Sequence, residues 1–371
     1  MDFSLTEEQA MLRDSIDKFV RDNCDVETHR RVIKGEKGFD PGTWDQFAEL
    51  GWLCMPFSEE QGGFGGGAVD LMVMTEAMGK GLLRVPFLST AVTCGGFLQQ
   101  AGDDAQQDRY IGDIIGGQAQ WAFAFAEVDS GYDMARVSCR AEAVDAGFRL
   151  DGGKISVLNG HCANFLIVSA LTVEGLSLFI VDTSLEGVRR KEFTAVDGSR
   201  GAHVEFNGVL LEAGQMLGEA GKAVSYIEDV LAKSIVAMGG EALGSMQVLL
   251  QTTVEYTKTR EQFGQPIGKF QALQHRMADM YLKVEETRAL LFNAAILLDE
   301  GSAEAMQACA ALKVKIAEAG RLVSQEAVQL HGGIGMTDEL DVGHHFKRLH
   351  LLGMLYGDED YYLEKYMQLA G

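Results

Sequence analysis

Arg260 opens the stretch Arg-Glu-Gln-Phe-Gly-Gln-Pro-Ile-Gly-Lys-Phe-Gln, ending at Gln271, where a permanent cation stands among amide side chains and aromatic rings. A guanidinium presents a planar fork of donors to phosphate or carboxylate oxygens, and the amides add neutral donors. Together these residue types suit an anionic, aromatic ligand. The competing reading is an ordinary helix connection, with Arg260 paired to Glu255 or Glu261. A second place of this kind is Gln329-Leu-His-Gly-Gly-Ile-Gly335, where Gly332 and Gly333 let a ligand approach the backbone. His331 within it reads as a packing histidine. Proton abstraction would need a carboxylate, and Glu241, flanked by Gly239, Gly240 and Gly244, has room for a ligand beside it. The bland alternative for Glu241 is a pair with a neighbouring helix.

Helices and strands must position these residues. Phe263-Gly264, Pro266 and Gly268 interrupt two long apolar-periodic segments, one rising from about Ser225 and one continuing to about Leu298. Ile235, Met238, Ala242, Met246, Leu249 and Thr253 make one helical stripe. Leu273, Met277, Met280, Val284, Leu291 and Ala294 make another, and Leu312, Ile316, Ala319, Val323 and Leu330 a third. At the other end, Thr6 with Gln9 is a capping box, and helices are expected from Thr43, over Val69–Gly79, near Phe87–Gln100 and over Gln106–Ile115. The glycine-rich stretch Pro56 to Gly67 lacks a preceding strand and reads as a loop, not a nucleotide fingerprint. From Trp121 the texture changes to short runs rich in Val, Ile and aromatics: 121–127, 136–141, 148–150, 154–158, 165–171, 176–181 and 203–206. Asp151-Gly152-Gly153 and Asn159-Gly160 punctuate them as turns.

The expected fold class is therefore α+β, mostly α. Residues 1–118 form an N-terminal helical domain, 119–222 a middle antiparallel β-sandwich or barrel, and 223–371 a C-terminal four-helix bundle.

The formal charge of −22 over 371 residues argues against nonspecific binding to nucleic acid or to an anionic membrane. It leaves room for a small anion at a local cationic cluster. The six cysteines include no Cys-x-x-Cys pair and read as buried small side chains, with neither metal nor disulfide expected. The first residues lack a basic region and an apolar core, and no run nears the ~18 apolar residues of a membrane span, so a cytoplasmic location is expected.

The whole chain resembles the acyl-CoA dehydrogenases. Leu5-Thr-Glu-Glu-Gln9, Phe47-Ala-Glu-Leu-Gly-Trp52 and Glu59-Glu-Gln-Gly-Gly63 are similar to the family's N-terminal pieces. Arg260–Gln271 matches its R-x-x-F-G-x-x-I-x-x-x-Q signature, and Gln329–Gly335 its Q-x-x-G-G-x-G signature. Gln271-Ala-Leu-Gln-His-Arg-Met277, Thr194-Ala-Val-Asp-Gly198, Gly335-Met-Thr-Asp-Glu339 and Leu355-Tyr-Gly-Asp358 are similar to one branch. That branch holds the small subunit of pimeloyl-CoA dehydrogenase and relatives acting on steroid side-chain thioesters.

The resemblance implies FAD, an acyl-CoA substrate, an electron-transfer flavoprotein as electron acceptor, and a homo- or heterotetramer with a related larger subunit. It implies that Arg260, Phe263, Gln271, Gln329, Gly332 and Gly333 reach the adenosine diphosphate half of FAD held mainly by a neighbouring subunit. Phe123 and Ala126 fall where the family's backbone touches the flavin, with Ala126 replacing the usual Thr and Tyr132 the usual Ser. Leu158, in Lys154-Ile-Ser-Val-Leu-Asn-Gly160, stands where a Thr commonly faces the flavin.

The implied reaction removes the proton α to the thioester and passes the β hydride to flavin N5. Tyr356 occupies the usual position of the base, and Ser234 the position used by other members. Neither is a suitable base, which leaves Glu241, on the face of Ser234 and ~10 Å further along the helix, as the catalytic candidate. Asp358, Glu359 and Asp360 form a weaker alternative. Three functional readings follow: a dehydrogenase for a bulky or polar acyl chain, a non-catalytic partner completing another subunit's FAD site, and, more weakly, a flavin monooxygenase.

Overall fold

The computed structural model describes residues 5–371. Met1–Ser4, which enter the reading of the N-terminus, lie outside the described residues. Helices α1 (Glu7–Asn23), α2 (Val26–Lys34), α3 (Pro41–Glu49), α4 (Ala68–Lys80), α5 (Gly95–Ala101) and α6 (Asp104–Ile115) come first. Strands β1 (Trp121–Ala124), β2 (Arg140–Val144), β3 (Gly147–Leu158), β4 (Phe165–Thr172), β5 (Gly175–Asp182), β6 (Val188–Thr194), β7 (Arg200–Glu212) and β8 (Met216–Leu217) follow. After them come α7 (Ala223–Thr259), the short β9 (Glu261–Gln262) and β10 (Gln265–Pro266), then α8 (Gln271–Asp299), α9 (Ala305–His331), α10 (Val342–Met354) and α11 (Glu359–Ala370). The helical, β, helical order matches the expected fold class. The chain divides into two compact units, one of residues 1–31, 67–83 and 235–371 and one of residues 32–66 and 84–234.

In the first unit, Thr6 caps α1 through the capping box with Gln9. The Asp299 carboxylate closes the start of α4, accepting from the Ala68 and Val69 N–H groups at 2.6 and 3.0 Å. The apolar stripes pack as their spacing requires: Met238, Ala242, Met246, Leu249, Leu291, Ala294, Leu312, Ile316, Ala319 and Val323 are all fully buried. The α8 stripe is buried only from Met280 onward, and none of residues 271–279 is buried. Where α7 crosses α4, glycines bring the backbones together. A Cβ on Gly79 would meet the Glu241 carbonyl oxygen at 2.1 Å, and one on Gly244 the Glu76 carbonyl at 2.0 Å.

In the second unit the strands run in the order β6-β7-β3-β2-β4-β5-β8, and β1 pairs with β4. The pairings are antiparallel except β1 with β4 and β2 with β4, which are parallel. Residues 148–150 and 154–158, read as separate strands, form one long β3. Its register shifts at Leu150/Gly152 and Lys154/Val157, so the expected Asp151-Gly152-Gly153 turn is a bulge. Gly152 permits it, because its φ is +142° and a Cβ there would lie 2.7 Å from the Cys139 Cα. β6 escaped the sequence reading because Arg189-Arg190-Lys191-Glu192 is an exposed edge with no apolar alternation. The helix expected near Phe87–Gln100 opens as a π-helical turn over Leu88–Cys94 before α5. Among the described residues no helix is long and apolar enough to cross a membrane.

Candidate functional site

Helix α7 ends at Thr259, and the Arg260 N–H closes onto the Tyr256 carbonyl at 2.9 Å. The chain then doubles back as a miniature hairpin, with Gln265 opposite Gln262 and Pro266 opposite Glu261. Its turn is Phe263-Gly264, with φ of +54° and +78°. Left-handed geometry at both central residues is the type I′ turn, which Asn-Gly satisfies without strain. Phe in this conformation costs roughly 1 kcal/mol, and the side chain recovers little locally, since Phe263 is 93% exposed and meets the Phe270 ring edge-on at 6.1 Å. The Ile267 N–H donates to the Arg260 carbonyl at 2.8 Å and pins the hairpin at its base. Arg260 itself is exposed and makes no ion pair among the described residues, because Glu255 pairs with Lys258 at 2.7 Å. The surface pair that competed with ligand binding is therefore absent from this geometry. Gln271 follows at the exposed start of α8.

The second glycine signature closes α9. Gly332 has φ +66° and ψ −143°, a conformation essentially reserved for glycine. Gly333 needs no such freedom, and a Cβ there would meet nothing within 4 Å. Among the described residues, no neighbour accounts for a glycine at 333. Gln329 is exposed beside them. His331 is buried, stacks on Tyr256 at 4.4 Å, and bonds through Nδ1 to the Ala327 carbonyl at 2.8 Å, so it is a packing residue. Because Tyr256 lies one turn before Arg260, this stack brings the two signatures together at one end of the first unit.

The flavin-facing candidates lie in the second unit. Phe123 is buried in β1 against Phe97 and Phe125, with ring centroids at 4.8 and 5.1 Å, so its side chain serves the core. The Ala126 carbonyl accepts from the Ile155 N–H at 2.8 Å. Ser156 and Asn159, in the neighbouring stretch, are left-handed at φ +54° and +62°. Besides Leu82, the non-glycine residues with positive φ among those described are Ser156, Asn159, Phe263 and Tyr356, all in stretches singled out above.

The candidate bases differ in environment. Glu241 is held by Arg348 on α10 in a bidentate pair, Nε to Oε1 at 2.6 Å and a terminal nitrogen to Oε2 at 2.8 Å. The space that Gly240 and Gly244 seemed to leave for a ligand is filled by α4, whose Thr75 Oγ1 lies 2.2 Å from where a Gly240 Cβ would be. Ser234 is fully buried, with its hydroxyl 3.0 Å from that of Thr93. Tyr356 is buried with φ +61°. Asp358 caps α11 by accepting from the Tyr361 N–H at 3.0 Å, and Glu359 pairs with Arg321 at 2.9 Å, so these acids organise the turn.

Sequence reasoning missed three charged groups. Arg348 is one. Lys154, fully buried in β3 and paired with Glu127 at 2.7 Å, is another; its signal was a lysine heading the mostly apolar run Ile155-Ser156-Val157-Leu158. The third is Lys313, fully buried on α9, whose ammonium donates to the carbonyls of Leu352, Gly353 and Gly357 at 3.1, 2.7 and 2.6 Å. Burial pushes its pKa down to about 7, against the opposing pull of Asp358. It fastens the end of α10 around Tyr356. A cleft of about 940 Å³ in the first unit, lined by Arg13, Asp17, Met72, Glu76, Lys80 and Arg288 among others, holds none of the candidate catalytic or cofactor-binding residues. Among the described residues, no group of three or more His, Cys, Asp or Glu is placed to hold a metal ion.

Comparison with known proteins gives a consistent result along the chain. The N-terminal, middle and C-terminal domains of acyl-CoA dehydrogenase match residues 6–118, 122–209 and 224–367. The short-chain-specific acyl-CoA dehydrogenase of Megasphaera elsdenii is 29% identical, over 94% of each chain. The ChsE4-ChsE5 complex from Mycobacterium tuberculosis contains a chain superposing with TM-score 0.91 at 29% identity, over 99% of this chain and 98% of that one. The FAD complex of PigA superposes with TM-score 0.93 at 28% identity, over 100% of both chains. The chain belongs to the acyl-CoA dehydrogenase family.

Proposed function

We propose that the chain is an FAD-dependent acyl-CoA dehydrogenase, working as one subunit of a heteromeric enzyme on a bulky or polar acyl chain. The observation that carries this reading is the exposed Arg260, without an ion pair among the described residues, at the base of the hairpin with the strained Phe263-Gly264 turn and near the open backbone at Gly332 and Gly333. A strained turn and a guanidinium without such a pair have no use within the chain. They fit the pyrophosphate and adenosine half of FAD: Arg260 offers its fork to phosphate, Gln271 and Gln329 their amides, and Gly332 and Gly333 their main chain. The exposure of Phe263, and the absence of any buried residue over 271–279, supports a clasp that reaches toward another subunit's cofactor. The likeness to a chain of the ChsE4-ChsE5 complex supports the heteromeric part.

When bound, FAD supplies the acceptor for a hydride from the substrate's β carbon. The main chain at Phe123 and Ala126 would face its ring, and Ala126, without a side-chain donor, offers only backbone. Glu241 would take the α-proton onto a carboxylate oxygen, once the Arg348 fork releases one. The thioester carbonyl needs donors in the same place to stabilise the charge that develops as the proton leaves.

The Glu241–Arg348 pair also favours a second reading, in which this chain is a non-catalytic partner that completes another subunit's FAD site. Both carboxylate oxygens are engaged, and the glycines beside Glu241 are used by helix packing. The test is to purify the chain alone and co-expressed with a related larger subunit, then record visible spectra, native mass and dye reduction with acyl-CoAs. A yellow, active protein without the partner supports independent catalysis. A colourless chain that gains flavin only with the partner overturns that in favour of the half-site reading. No flavin in either preparation removes both.

A further inference from the structure

We propose that the buried Lys154–Glu127 ion pair is the positioning element that holds the Phe125–Glu127 main chain in place for the flavin, an inference that rests on the proposed function. Lys154 and Glu127 are 0% and 7% exposed, and Nζ lies 2.7 Å from Oε1. The ammonium's remaining donors go to the Phe125 carbonyl at 3.1 Å and the Ser169 hydroxyl at 3.0 Å. Glu127 is engaged as fully. Its Oε2 accepts from the Ser138 N–H at 2.7 Å and from the Ser138 hydroxyl, and its Oε1 from the Cys139 N–H at 3.1 Å. Ile155, next to Lys154, donates to the Ala126 carbonyl at 2.8 Å. One ion pair thus ties together the segment after β1, the loop before β2 and the bulged part of β3.

Stability alone does not account for such a pair, because apolar residues of similar volume usually serve a core as well or better. An ion pair with every donor and acceptor used adds direction: it determines where the Phe125 and Ala126 carbonyls lie. Gly152 lets β3 approach Cys139 closely, and Ser156 takes a left-handed conformation just after Lys154. Burial alone would raise the Glu127 carboxyl, but the hydrogen bonds from Lys154 and Ser138 outweigh it and hold it below its ordinary value. Burial lowers Lys154 against the opposing pull of Glu127. Because Ala126 offers no side-chain donor, whatever it presents to the cofactor depends on this backbone position.

The experiment compares Lys154→Met and Ser138→Ala with wild type in the flavin-containing assembly, reading FAD dissociation constant, visible band positions and flavin midpoint potential. Lys283→Met, which removes a half-buried cation paired with Glu286 at 3.0 Å and Glu318 at 2.9 Å in the other unit, is the control. Lys154→Met should weaken FAD retention at least about ten-fold and shift both bands and potential. Ser138→Ala should shift them less, and Lys283→Met not at all. Should Lys154→Met fail to fold, Ser138→Ala decides. Wild-type affinity, bands and potential in the folded variants overturn the inference and leave the proposed function standing. A wild-type assembly without flavin overturns both.

Discussion

Two regions of the helical unit contrast sharply: the hairpin around Arg260 and the α7 face around Glu241. At the hairpin, a guanidinium has no ion-pair partner among the described residues, an aromatic ring stands in solvent and the backbone is strained. Around Glu241, the carboxylate is matched oxygen by nitrogen with Arg348, and the adjacent glycines are pressed against α4. The first region has interactions left to make, and the second has made them. Residues built to meet something outside the chain show in the folded chain as unused donors and unrelieved strain. Residues built for the chain itself do not.

The sharpest way to break this comparison is Glu241→Gln in the flavin-containing enzyme. If Glu241 is the base, turnover should fall by ~10²–10⁴-fold with FAD retained, read by dye reduction. Unchanged turnover would confine Glu241 to helix packing and complete the contrast. Next in size is Lys313→Met, which leaves the Leu352, Gly353 and Gly357 carbonyls without their donor and should cost about 3 kcal/mol by chemical denaturation.

This variant also carries a pH signature. With Lys313 pushed down to about 7 in the folded chain, against 10.5 ordinarily, the unfolded chain binds more protons between those values. Its contribution to stability is therefore greatest above pH 10.5 and is lost as pH falls through 7. Wild-type stability should carry this rise with pH, and Lys313→Met should lack it. The smallest effect belongs to Phe263→Gly, which relieves the left-handed strain and should stabilise the isolated chain by ~1 kcal/mol. The same change should weaken FAD retention or assembly, read by native mass and bound flavin. A stabilised chain with intact flavin and assembly would show that the exposed ring has no outside partner.

What could be read from the sequence was what is local in it. The Thr6–Gln9 capping box, the stripes of α7 and α9 and the loop marked by Phe263-Gly264 and Pro266 depend on residues a few positions apart. The Glu241–Arg348 pair spans 107 positions and Lys313 to Gly357 spans 44, and no spacing rule connects such groups. The glycines around Glu241 misled for a related reason. A missing Cβ announces that something comes close, but not whether it is a ligand or another helix. The edge strand β6 was hidden by its charges, and β3 by its bulges.

The glycine crossing of α4 and α7 limits how the Glu241–Arg348 pair can come apart. With the Glu241 carbonyl lying where a Gly79 Cβ would be, α7 has no slack to slide or roll at that point. Any opening of the pair must come from rotation about the Glu241 or Arg348 side chains or from a shift of α10. Freedom on that side is limited in turn, because Lys313 fastens the carbonyls that end α10. One helix is the anvil and the other the hinge, so substitutions that alter access to Glu241 should map to α10 and its tether.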